Sequence, residues 1–147
     1  MKQITQVIDA KGNKTRVSYD ALGRRTALDN PDTGRVEMGY DLMGNLIQKT
    51  TANLRARGKG QALTYDYDIN RLAAIHSPTY PGNDIAYTYG APGAAFNRAG
   101  RIVTVTHQAG SEERFYGKLG ETIKEIKQLP ITQNGGQGGT STNEVEI

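Results

Sequence analysis

A six-residue phrase sets what this chain can fold into. Tyr19-Asp20-Ala21-Leu22-Gly23-Arg24 returns as Tyr40-Asp41-Leu42-Met43-Gly44-Asn45. With Gly in place of Asp it returns again as Tyr116-Gly117-Lys118-Leu119-Gly120-Glu121. Two blurred copies lie between. Tyr67-Asp68 enters its turn out of register, and Tyr89-Gly90 reaches Gly100-Arg101-Ile102 only after an inserted loop. Counted together, the tyrosines stand 21, 27, 22 and 27 residues apart. A period of that length describes an array of stacked units that bury surface against their neighbours.

The unit reads as a hairpin. A strand ends at Tyr, Asp opens a turn, two permissive residues follow, and Gly takes the position that needs φ > 0. That is a type I turn closed by a glycine bulge. An Asp carboxylate can accept from backbone amides two residues on, and Gly enters the left-handed region without a Cβ clash. Turn chemistry therefore accounts for Asp20, Asp41, Asp68, Gly23, Gly44 and Gly120 without any catalytic role.

Period-2 alternation flanks these turns. Val17 and Tyr19 share a face, as do Val36, Met38 and Tyr40, then Leu63, Tyr65 and Tyr67, then Ile85, Tyr87 and Tyr89. Asn30-Pro31-Asp32-Thr33-Gly34 and 78–83 are turn clusters. About ten antiparallel strands result, with a charged loop over 52–60 and a strand over 121–129 whose charges would also suit a helix. The fold expected is all-β: hairpin repeats forming a curved, twisted sheet over 1–130. Residues 131–147 are Gly-rich and read as a flexible tail or linker.

The repeats resemble the tyrosine–aspartate (YD) repeats of the Rhs family, which also occur in the C components of Tc toxins and in teneurins. The resemblance spans roughly residues 9 to 127. Tyr116-Gly117-Lys118-Leu119-Gly120-Glu121-Thr122 is similar to a phrase of bacterial Rhs cores, which favours that branch. The resemblance implies a hollow β-shell that encloses a toxic C-terminal domain until a secretion system delivers it. It implies that the YD residues are structural. Release of the toxin in that family resembles an aspartyl-protease step at Asp-Pro motifs. This chain has no Asp-Pro, so that chemistry does not carry over.

Other classes find little support. With no Cys, disulfides, thiolate metal sites and Cys nucleophiles are excluded. No apolar run is long enough for a membrane span, and 1–6 do not read as a Sec signal peptide. The net charge of +3 is spread over alternating signs, which argues against nucleic acid as a partner. His76 and His107 lack metal-like spacing. His76-Ser77 near Asp68 would be a poor triad, since adjacent strand residues face opposite ways. Asp66 and Asp68 share a face, but a strand end entering a turn explains both. No cofactor is expected.

The tyrosine stripe admits two readings. One is a ladder of rings stacked across neighbouring strands. The other is a glycan- or cell-surface-binding face, helped by the basic loop residues Arg55, Arg57 and Lys59. Even spacing favours the ladder. The expected function is a non-catalytic wall segment, its partners the rest of a longer shell, an enclosed toxin domain, or a second copy meeting it through edge strands.

Overall fold

The computed structural model describes residues 3–58, 60–132 and 138–146. Among these residues it is all-β apart from one helix of five residues and a single 3-10 turn at Pro81–Asn83. The strands are β1 (Gln6–Ile8), β2 (Lys14–Tyr19), β3 (Arg25–Asn30), β4 (Gly34–Tyr40), β5 (Leu46–Thr50) and β6 (Leu63–Asp68). After them come β7 (Arg71–His76), β8 (Ile85–Tyr89), β9 (Ile102–His107), β10 (Gly110–Tyr116), β11 (Thr122–Thr132) and β12 (Gly138–Glu146). Strand order follows chain order without a crossover, and β1 and β12 are the two edges of an unclosed sheet. Short loops joining sequence neighbours give this meander directly.

The chain divides into two compact units, Met1–Arg71 with His76–Thr79, and Leu72–Ile75 with Tyr80–Ile147. In the first, β2 and β6 alternate strictly between exposed and half-buried residues, with Val17, Tyr19, Leu63, Tyr65 and Tyr67 on the covered face. In the second, β8 does the same with Ile85, Tyr87 and Tyr89. Each unit is a single layer, and its core is correspondingly thin. Ala27, Ala62 and Val105 are the buried hydrophobic residues among those described. A sheet with no second layer over it can cover only small side chains completely.

A bulge accompanies the repeat. The register slips between Ser18 and Tyr19, Gly39 and Tyr40, Thr88 and Tyr89, and Phe115 and Tyr116. In each case the return strand carries the extra residue: Thr26, Ile47, Val103 or Ile123. Such an insertion bends its strand and sharpens the local twist just past the turn.

Three expectations change. Among the described residues the strands number twelve against about ten expected; the strand over 2–8 is present as β1, and β12 is an addition. Residues 52–56 form α1 (Ala52–Ala56) instead of loop. Ala, Leu and Arg favour helix there, and Thr51 Oγ1 caps it by accepting from Leu54 N at 3.3 Å. The third difference is at the end of the chain. β11 runs past Pro130, and 138–146, expected as tail, returns along it as β12 in register from Lys124↔Glu146 to Thr132↔Gly138. Thr140, Thr142 and Val145 are good strand formers, and a Lys124–Glu144 ion pair joins the two strands. The remainder of that expected tail, 133–137 and 147, lies outside the described residues. The ambiguous 121–129 segment is strand, within β11. Cross-strand pairing of opposite charges explains why: Glu112 faces Lys127 and Arg114 faces Glu125.

Candidate functional site: a rail of tied turns

The turns that follow β2 and β4, and the one that follows β10, have one backbone geometry. Asp20 N donates to Arg24 O at 2.9 Å and Gly23 N to Asp20 O at 3.0 Å. The corresponding bonds are Asp41 to Asn45 at 3.0 Å and Gly44 to Asp41 at 3.2 Å, then Gly117 to Glu121 at 2.8 Å and Gly120 to Gly117 at 3.1 Å. Asp9–Asn13, at the other end of the strands, repeats both bonds at 3.0 Å. Gly23, Gly44 and Gly120 sit at φ 81°, 92° and 90°. These are type I turns closed by a left-handed glycine.

The inserted loop obeys the same frame. Gly90 N donates to Arg101 O at 3.0 Å and Gly100 N to Gly90 O at 2.8 Å. Residues 91–99 are thus spliced into a turn whose two closing bonds survive. Only Tyr67-Asp68 departs: its turn is the pair Ile69-Asn70, with Ile69 at φ 59°.

The Asp carboxylates hold the turns shut. Asp20 Oδ1 accepts from Leu22 N at 3.0 Å and Arg24 N at 2.9 Å, and its Oδ2 from Arg24 Nε at 2.6 Å. Asp41 accepts from Asn45 N at 2.8 Å and Asn45 Nδ2 at 2.9 Å. Asp9 does the same with Asn13, at 2.9 and 2.8 Å. The residue after the turn glycine is therefore part of the unit. Asn13, Arg24, Asn45 and Arg101 all occupy it, a signal present in the sequence that attention to Tyr and Asp passes over. In the last copy the pair is inverted: Gly117 stands where Asp would, and a Cβ there would collide with the Glu121 carboxylate.

These bonds fix charge. Asn13 holds the Asp9 carboxyl, and Asn45 the Asp41 carboxyl, below the ordinary aspartate range. For Asp20, desolvation pulls upward but the Arg24 amide and guanidinium outweigh it, so its carboxyl is lowered too. A carboxylate favoured in the folded state adds stability above its unfolded pKa and gives it up as pH falls through the lower folded value. Stability should accordingly drop on acidification below the ordinary aspartate range. Urea midpoints against pH check this, with Asp20→Asn plus Asp41→Asn expected to flatten the acid limb. An acid limb as steep in the double variant as in the parent would contradict it.

The same residues tie each turn to the next. In the first unit Gln3 Nε2 donates to Gly23 O at 3.0 Å, Arg24 Nη1 to Asp41 O at 2.7 Å, and Asn45 Nδ2 to Asn70 Oδ1 at 3.1 Å. The Arg24 guanidinium also lies 4.9 Å from the centre of the Tyr40 ring. In the second unit Arg101 lies 5.5 Å from the Tyr116 ring and donates to Asn97 O at 2.5 Å.

All five repeat tyrosines make one further bond. Tyr19 donates its hydroxyl to Ile4 O at 3.0 Å, Tyr40 to Arg25 O at 2.8 Å, and Tyr67 to Leu46 O at 2.9 Å. In the second unit Tyr89 donates to Leu72 O at 2.9 Å and Tyr116 to Ile102 O at 2.7 Å. Each acceptor at Arg25, Leu46, Leu72 and Ile102 lies in the first or second residue of the strand that leaves the preceding turn. This link, and not ring-on-ring stacking, is what recurs at every copy. The reason is spacing. Repeat tyrosines sit on alternate strands, about 10 Å apart, beyond the ~4.5–7 Å at which rings pair. Phe96 and Phe115 do pair, edge to face at 5.3 Å.

The other candidate residues are occupied separately. Arg55 Nη2 pairs with Glu37 Oε2 at 2.7 Å, and Arg35 takes Glu37 Oε1 at 2.8 Å. Arg57 ends α1, and Lys59 lies outside the described residues. His76 Nε2 is 3.0 Å from Asp66 Oδ2, whereas Asp68 pairs with Arg71. Among the described residues no three His, Asp or Glu side chains gather where a metal could sit.

Residues 2–35 match the RHS Repeat family. No curated protein sequence matches the chain. The fold is similar to that of TcdB2–TccC3 without its hypervariable C-terminal region, with TM-score 0.58 and 18% identity over 86% of this chain. It is also similar to a Photorhabdus luminescens Tc holotoxin pore bearing a TccC3 mutation, with TM-score 0.59 and 18% identity over 85% of this chain. The chain spans only 8% and 6% of those two chains.

Proposed function

From an RHS repeat at residues 2–35 and a fold shared with TcdB2–TccC3, we propose that this chain is a stretch of the β-shell wall of a bacterial Rhs-type toxin. Its work is mechanical, not catalytic. The observation that carries this reading is the repeated tie in which each repeat tyrosine's hydroxyl binds backbone of an adjacent repeat, joined in the first unit by Arg24 and Asn45 reaching to the next turn. Such ties use polar residues to stiffen a sheet that has no second layer to pack against. In this role β1 and β12 continue into neighbouring strands of a longer shell. A toxic C-terminal domain is the enclosed cargo, and the assembly leaves the cell through a secretion system. The Tyr and Asp residues serve the wall, and Arg55 is spent on Glu37, so no observation favours a glycan site.

Limited proteolysis of the longer reading frame that contains this stretch tests the proposal. A domain downstream of the wall should resist protease in the parent and become digestible when Gly44→Val and Gly110→Ala open the wall. A downstream domain equally accessible in both would contradict it.

A further inference from the structure

We propose that the loop spliced into the β8–β9 turn builds, against β10, β11 and β12, a binding site for an organic ammonium with an apolar body. The loop is not needed to close its own turn. Gly90 N to Arg101 O and Gly100 N to Gly90 O close it, as the same two bonds close the turns that have only two residues at this place. What 91–99 add is one ring held out beside the sheet. Phe96 and Asn97 lie at φ 57° and 52°, a left-handed conformation that a bulky residue keeps only where its surroundings impose it. Tyr116 N donates to Phe96 O at 3.2 Å, Asn97 Nδ2 to Tyr116 O at 3.1 Å, and Arg98 Nη1 to Glu113 Oε1 at 2.6 Å. So held, Phe96 meets Phe115 edge to face and remains 58% exposed.

The two rings and Ile123 are the apolar walls of a cavity of about 460 Å³, lined also by Lys124 and Glu146. That volume, and apolar walls carrying a few charged groups, are those of a small-molecule site. Because Arg98, Asn97 and the Phe96 carbonyl are already tied to β10, the walls stand in place before a ligand enters, and little chain is left to order.

The charges around the cavity select the sign of the ligand. Arg98 pairs with Glu113, and Lys124 pairs with Glu144 although Glu146 is the residue opposite it in register. Glu146, on the sheet edge, makes no ion pair among the described residues. Two cations thus meet three carboxylates, and the surplus charge at the cavity is negative. An anion would be repelled there, and a neutral molecule would leave Glu146 unused. An ammonium on an aryl or alkyl body satisfies both parts, its charge at Glu146 and its body between the phenyl rings. Arg98 and Lys124 already lie over the Phe115 ring, at 4.8 and 5.5 Å, so the incoming charge falls to Glu146 and to the open side of Phe96.

An NMR titration of the isotope-labelled 147-residue chain with phenethylammonium, and with phenylpropionate as an anion of similar shape, provides the test. Phenethylammonium should shift the amides of Phe96, Lys124 and Glu146 saturably and bind about tenfold or more tightly than phenylpropionate. Glu146→Gln, at an exposed strand position, should remove that preference. Phe96→Ala should weaken binding of the amine about tenfold. Replacing 91–99 by Ala-Leu, the pair at 21–22, should keep the far-UV circular dichroism and abolish binding; Phe96→Ala reads the same wall if the shortened chain does not fold. A capped Gly-Lys-Gly peptide separates the sources of the cation. Binding as tight as that of the amine assigns the site to a lysine side chain, and weaker binding assigns it to a free amine. No saturable shift with either cation, equal affinity for the anion, or a Glu146→Gln variant that binds like the parent would overturn the site. The wall reading would survive any of these, since its ties use neither Glu146 nor the Phe96 ring.

Discussion

Gly110→Ala should destabilise the chain by about 3 kcal/mol or more, the sum of backbone strain and overpacking. Gly110 opens β10 at φ 132°, a conformation that a Cβ disfavours. Added there, that Cβ would run into the carbonyl oxygen of Gln128 on β11, with Leu129 Cα only 3.2 Å away. Neither obstacle can swing aside, because both are backbone of a paired strand. Gly44 is the contrasting case. It too has positive φ, but nothing lies within 4 Å of a Cβ there, so Gly44→Ala meets strain alone, about 1 kcal/mol. Gly44→Val should cost somewhat more, and Met43→Ala, at an exposed tip, only a few tenths of that. Urea unfolding midpoints give this ranking. A Gly110→Ala variant no weaker than Gly44→Ala would mean that β10 and β11 do not pair in this register.

Tyr40→Ala should lose about 3 kcal/mol, whereas Tyr40→Phe should lose only about 1. The ring is half-buried and lies under the Arg24 guanidinium, so truncation removes packing from two repeats together. The phenylalanine variant keeps the ring and removes the bond to Arg25 O and the weak hydroxyl contact with Met38 Sδ. That leaves a carbonyl near solvent that water can satisfy. The same modest loss should appear for Tyr19→Phe, Tyr67→Phe and Tyr116→Phe if the hydroxyl link has one role throughout. Their midpoints, measured as a series, show whether it does. A Tyr40→Phe variant as unstable as Tyr40→Ala would place the stabilisation in the hydroxyl alone.

Much of this architecture was legible in the sequence because a hairpin is specified locally. Asp20, Gly23 and the alternation through Val17 and Tyr19 fix turn type and facing within a dozen residues. The all-β fold follows from repeating them. What the sequence concealed is relational. That Tyr40 reaches Arg25 O depends on antiparallel neighbours bringing the end of β4 beside the start of β3. Stacked tyrosines would have needed adjacent strands, and the repeat places them on alternate ones. β12 was hidden by composition, since its glycines read as linker until β11 is there to pair with. The basic loop failed for another reason: Arg55 lies within reach of Glu37, a partner 18 residues away in sequence. The Asn or Arg after each turn glycine was in plain view; its second role, reaching across to the next turn, was not.

The wall account rests on an unclosed sheet, and amide hydrogen exchange of the monomeric chain measures that most directly. Strands with neighbours on both sides should protect every paired amide. The amides of β1 that do not face β2, and those of β12 that do not face β11, should exchange at near-unprotected rates, because no strand covers them. That pattern, slow inside and fast along both edges, is the predicted result. Edge amides as protected as those of β3 and β9, in a sample shown to be monomeric at the same concentration, would mean that the first and last strands close on each other. The chain would then be a small barrel, complete in itself and unsuited to continue a shell.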